Sequence, residues 1–153
     1  MIASKKLLTG LVLIRLLPVY VLLGLLKHLL PLRWLTWWAW RAPARQRDRN
    51  AEKQLVTRVL RLSELVSLPD RDCLQRSLLL YRELSRAGAD PILVVGFQRL
   101  SDRIVGHAWV IVDGESVIEL ASNLARISPV CSFGAQGALV RCDSSQFPVG
   151  GII

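Results

Sequence analysis

Cys73 and His107 are the two side chains of this 153-residue chain whose types and settings could share a proton and do covalent chemistry. The stretch DRDCLQRSLLLYRELSRAG predicts a helix opening at Cys73. Asp72 can cap it with Gln75 three residues on, Leu74, Ser77, Leu78, Tyr81 and Leu84 supply an inner face, and Gly88 ends it. A thiol in the first turn of a helix meets the positive end of the dipole, which favours the thiolate. Helix-start cysteines that merely fill space are common, so the setting of the histidine decides. His107 sits in a β-rich run, VGHAWVIV, where Gly106 and Ala108 leave the imidazole accessible and Trp109 can wall one side of a cleft. An imidazole within hydrogen-bond reach of a thiol makes a nucleophile and general-base pair, the chemistry of acyl transfer to water or to an amine.

An acceptor that orients the imidazole completes such a pair, and Asp113, Glu115 and Glu119 are the acids that follow it. If Val112, Asp113 and Gly114 form a three-residue loop with Gly114 left-handed, Ile111 pairs with Glu115, Trp109 with Val117 and His107 with Glu119. Opposed residues share a face, with β-carbons about 4.5 to 5.5 Å apart. A two-residue Asp113-Gly114 loop instead sets Glu119 opposite Ala108, on the other face. Asp113, at the tip, reaches His107 in neither register. The three-residue loop therefore nominates Glu119.

The elements that would position these residues make an α+β domain. A helical pattern runs from Glu52 with Leu55, Val56, Val59, Leu60, Leu62 and Val66 on one side, until Pro69 in a Pro69-Asp70-Arg71 turn stops it. After the Cys73 helix, the runs PILVVGFQ, VGHAWVIV and SVIELA read as three strands of an antiparallel meander. Beyond Ser122 the chain is rich in Gly and Ser, with one further strand candidate at Ala138 to Arg141 and no assigned role. The nucleophile-bearing helix would pack on this small sheet within a domain at 51–153.

Residues 1–50 read as a separate apolar, basic helical segment, with Ala42 to Asn50 as the linker. Between Lys6 and Lys27 lie twenty residues, fourteen of them Leu, Val or Ile, a length that can cross a bilayer core. A central Arg15 costs roughly 2.5 to 3.5 kcal/mol on an insertion scale, less than fourteen apolar residues return at about 0.3 to 0.6 each. Trp34, Trp37, Trp38 and Trp40 then fall among Arg33, Arg41, Arg45, Arg47 and Arg49, as at a headgroup boundary. The segment either spans or lies on the membrane, or forms two helices packed on the domain or a partner. The basic excess after it, against Lys5 and Lys6 before it, predicts a cytoplasmic domain held at the inner face of the cell membrane.

All of the net charge, +8, sits in the first 50 residues, and the remainder is balanced. Those basic residues are interleaved with Leu, Val and Trp instead of forming a polar basic face, which argues against nucleic acid as a partner. Three cysteines without C-x-x-C spacing and two histidines suggest neither a zinc site nor a disulfide framework, and no cofactor motif is present.

From Asp72 to Glu119, roughly a third of the chain, the sequence resembles the lasso-peptide leader peptidases of the transglutaminase-like, papain-like superfamily. The resemblance rests on the Cys-Leu-x-Arg-Ser helix, the helix-end Gly, an apolar strand reaching Gly96, and a His-Ala-Trp-Val strand followed by Asp-Gly. It implies a cysteine peptidase that removes the leader from a ribosomally made precursor, with Cys73 as nucleophile, His107 as base and Glu119 where the family commonly carries an orienting Asp. Arg76 and Ser77 match the motif too, and read as a solvated helix face and core filling. The fuller family form adds a strand-rich module that grips the leader. Residues 1–71 show no such strands, so the resemblance implies a separate leader-recognition protein, with a lasso cyclase as the next partner. Two other classes suit the same residues: a transglutaminase-like acyl transferase, in which an amine captures the thioester, and a membrane scaffold with an inert Cys73.

Overall fold

The computed structural model describes residues 2–66, 73–100, 103–119 and 121–140. Its elements run α1 (Ile2–Leu29), α2 (Leu32–Ala39), α3 (Arg49–Val66), α4 (Cys73–Arg86), β1 (Ile92–Leu100), β2 (Arg103–Val112), β3 (Glu115–Ser116), α5 (Ala121–Leu124), β4 (Ser128–Phe133) and β5 (Leu139–Val140). The strands form one antiparallel sheet in the order β3-β2-β1-β4-β5, with helices packed on it, the α+β architecture the sequence predicts. The Pro69-Asp70-Arg71 turn, the Asp72 cap, Cys142 and the ends of the SVIELA and 138–141 runs at Leu120 and Arg141 lie outside the described residues.

Helix α4 is the centre of the packing. CLQRSLLLYRELSR is apolar on more than one side, and Gln75, Ser77, Leu78, Leu79, Leu80, Tyr81, Leu84 and Ser85 are all buried. One flank meets Leu93 and Val110 of the sheet and the other meets α1, α2 and α3. Gly88, at φ +90°, ends it: its N–H bonds Ser85 O and the Ala89 N–H bonds Leu84 O, a Schellman closure that a side chain at 88 would obstruct against Arg45 O. The sheet's other face carries a smaller core of Val94, Trp109 and Ile111 under Leu124 and Ile127.

The N-terminal helices share this core. Leu16, Tyr20 and Leu23 of α1, and Leu35 and Ala39 of α2, are buried in the same cluster as Leu55, Val59 and Leu62 of α3 and Leu78 to Tyr81 of α4. Gln75 does not turn back toward a cap: its Nε2 donates to Tyr20 O at 2.8 Å and its Oε1 accepts from Lys27 Nζ at 3.2 Å, locking α1 to the first turns of α4. The expectation of a bilayer-crossing segment is corrected here, since no helix among the described residues is long and apolar enough to cross a membrane. Part of the apolar signal comes from a face that fills the protein core. The stretch from Ala42 to Asp48 is tied down at both ends. Arg41 N–H bonds Ser85 Oγ, Ala44 N–H bonds Arg86 O, and Asp48 Oδ1 caps α3 by accepting from the Asn50 and Ala51 N–H groups.

The hairpin after His107 differs from its expected register. Asp113 and Gly114 both have positive φ, 54° and 82°, and Ile111 pairs with Ser116 and Val112 with Glu115. That is a two-residue loop of the primed kind, which twists in the sense the strands require. Pairing then stops. The Val117 N–H still bonds Val110 O at 2.9 Å, but residues 117–119 bend away, which cuts short the strand expected over SVIELA, and Ala121–Leu124 is helical. On the other side of β1 lies a strand the sequence did not disclose. β4 pairs with β1 through a register shift at Val95/Gly96 that seats Pro129 opposite Gly96, where a β-carbon on Gly96 would lie 2.5 Å from Ser128 O.

Candidate active site

The shortness of β3 creates the site. On the outer edge of β2 the carbonyls of Ala108 and Val110 point the same way, and β3 reaches only the second. Ala108 O is taken by Ser77 Oγ at 2.9 Å, a buried bond that pins the second turn of α4 to the open strand edge. The Cys73 thiol, half-buried at the helix start, then meets the Ala108 and Leu74 N–H groups and the His107 imidazole. Burial alone would push this thiol up. Hydrogen bonds from His107 and the two backbone amides, with the charge on His107, outweigh burial and hold it below its ordinary value.

His107 comes from the same strand edge, paired with Gly96 of β1. Its ring stacks against Trp109 at 6.0 Å between centroids and 24° between planes, so the indole walls the imidazole as the sequence suggests. Nε2 lies 3.6 Å from Glu119 Oε1, which leaves Nδ1 for Cys73. Hydrogen bonding to Cys73 and to Glu119 raises the imidazole to about 9 against the opposing effect of burial. A lowered thiol beside a raised imidazole favours the thiolate-imidazolium form of the pair.

Glu119 arrives by a route different from the one expected. In the observed register an extended strand would carry it to the Ala108 side; the bend at 117–119 brings it back to His107. The bend is held by Ser116, whose Oγ accepts from the Glu119 N–H and donates to Oε2, both at 3.2 Å. Arg76 Nη2 donates to Oε1 at 3.2 Å. The carboxylate is largely buried, which pushes its pKa up. His107, its own backbone amide and the charge of Arg76 overcome that and hold it below the usual range, so it is an anion facing the imidazole.

The structure thus brings Cys73, His107 and Glu119 together and leaves Asp113 apart. Asp113 is more than a turn residue, because Arg47 forks onto both its oxygens at 2.9 and 2.7 Å and Arg49 adds a third contact. Sequence reasoning underrated Arg76 and Ser77, which are neither solvated nor inert filling, and missed Ser116. The signal was there in the Arg-Ser pair that follows Cys73 at i+3 and i+4, which places both on the helix face that carries the thiol. Among the described residues no group of three His, Cys, Asp or Glu side chains could hold a metal ion. Cys131 is on β4, separated from β2 by β1.

A family model described as the transglutaminase-like superfamily matches residues 13–132, more than three quarters of the chain. The chain belongs to the transglutaminase-like superfamily. No curated protein and no solved structure matches it. The match to the transglutaminase-like superfamily begins inside α1 and closes inside β4, so it takes in the N-terminal helices that share the core as well as the site. The superfamily includes cysteine peptidases and acyltransferases, and its members are generally catalytic, often through a cysteine.

Proposed function

We propose that this protein is a cysteine peptidase that removes the leader from a ribosomally made precursor during lasso-peptide maturation. The observation that supports it most is the continuous chain of contacts from thiol to imidazole to carboxylate at the start of α4. In this reading the Cys73 thiolate attacks the scissile carbonyl, with the Cys73 backbone amide available to the oxyanion at the helix start. His107 gives its proton to the leaving amine, and the thioester forms. His107 then takes a proton from water, which releases the acid and restores the thiol pair. Glu119 keeps the imidazole oriented through both steps. The resemblance around Cys-Leu-x-Arg-Ser and His-Ala-Trp-Val supplies the substrate class. Secondary structure in residues 2–66 is entirely helical, which favours a separate leader-recognition protein presenting the precursor and a cyclase receiving the product. The test is leader removal from the precursor with that recognition protein present. Cys73→Ala should abolish cleavage with the fold intact and Cys131→Ala should retain it; cleavage by Cys73→Ala near the parent rate removes the mechanism. Capture of the thioester by an added amine in preference to water would reassign the protein as an acyltransferase.

A further inference from the structure

Helix α1 is apolar on two opposite faces, and only one of them is covered. Leu16, Tyr20 and Leu23 point into the core, whereas Ile14, Leu17, Val21, Leu25 and Leu29 are 40 to 75% exposed. At about 100° per residue the second set falls on one stripe, roughly opposite the first, about 22 Å long. Trp34 and Trp37 of α2 are exposed as well, 55% and 61%, and set edge to face at 6.3 Å. A monomer seldom leaves so many large apolar side chains together in water.

The charge around this face says what it meets. Arg15 sits exposed at the rim of the stripe and Arg33 beside the two tryptophans. The single acid among the first 50 residues, Asp48, is spent on capping α3. An apolar stripe with Arg15 at its rim, and exposed tryptophans with Arg33 on the next helix, complement an anionic lipid surface. The buried face of α1, held on α4 through the Gln75 bond to Tyr20 O, opposes a spanning geometry, and no helix among the described residues is long and apolar enough to cross a membrane. We propose that α1 and the exposed tryptophans of α2 lie in the plane of an anionic bilayer, the outer stripe of α1 among the headgroups and upper acyl chains and the inner face on the catalytic domain. Because Gln75 bonds Tyr20 O on the inner face, the Cys73 end of α4 is then held about one helix diameter, roughly 10 Å, from the lipid surface.

Flotation of the purified full chain with protein-free vesicles tests this. Vesicles of phosphatidylcholine with added phosphatidylglycerol should carry the protein up the gradient, with partitioning roughly tenfold weaker for phosphatidylcholine alone or for Arg15→Glu/Arg33→Glu. Val21→Asp/Leu25→Asp, at exposed positions, should lose at least on the order of 100-fold while Cys73 keeps its parent alkylation rate, which shows the fold intact. Absence of flotation with either lipid, or equal flotation by the aspartate variant, overturns the proposal. Flotation with native membranes but not with protein-free vesicles also overturns it, and assigns the face to a partner protein.

Discussion

The carboxylate that orients His107 contributes its charge as well as its geometry. His107 is raised from 6.5 to about 9 by hydrogen bonding to Cys73 first and Glu119 second, so the imidazolium persists until about that pH, while the Cys73 thiol is held below its ordinary value. Activity should therefore rise on the acid side as Cys73 ionises and fall on the alkaline side near pH 9 as His107 loses its proton. Glu119→Gln removes the charge and leaves the partly buried Arg76 without its carboxylate partner. The expected outcome is a loss of roughly 100- to 10,000-fold in kcat/KM and an alkaline limb displaced to lower pH, read from a pH-rate profile. Asp113→Asn should leave that limb in place, because its partners are Arg47 and Arg49 and not the imidazole. The sign of the linkage also follows. A group raised on folding adds stability that is complete below about 6.5 and lost as pH rises through about 9, so Glu119→Gln should narrow this window in denaturation followed against pH.

Among the elements, β3 and β4 show best what the sequence could and could not disclose. SVIELA alternates like a strand, yet Ser77 occupies the β2 edge at Ala108 and Ser116 folds the chain back, so tertiary contacts cut the strand to two residues. The acid that faces His107 was reached through the wrong loop length. β4 stayed hidden because SPVCSF carries Pro129, which a strand tolerates only at an edge or a bulge, and the bulge depends on Gly96 of another strand. By contrast α4 and the β1-β2 hairpin were legible, since their apolar runs and end glycines act locally. The Ser77 contact gives a test of its own. Ser77→Ala leaves Ala108 O without its partner, at a cost of about 1 to 3 kcal/mol in unfolding free energy. It should also raise the pH midpoint for alkylation of Cys73, because the Ala108 N–H that stabilises the thiolate sits on the same peptide edge; Ser77→Thr should restore both.

At the scale of the whole molecule, the N-terminal third is part of the domain's interior. Removing residues 1–42 strips Leu16, Tyr20, Leu23, Leu35 and Ala39 from one cluster and orphans the Gln75 amide, so the shortened chain should fail to fold. Leu23→Ala in the full chain should cost about 2 to 5 kcal/mol, measured as a lowered midpoint in denaturant. A stretch apolar on both faces reads in sequence as lipid-borne, because periodicity reports hydrophobicity and not which neighbour answers it. The same arrangement sets a demand on biosynthesis. Tyr20 and the Gln75 that receives its carbonyl are 55 residues apart, and α1 leaves the ribosome well before α4 exists to cover it. At about 5 to 20 residues per second the helix waits roughly 3 to 11 s with its core face open. For that interval the nascent chain has to be shielded, by a chaperone or by the membrane itself, before the helix that carries Cys73 can close over it.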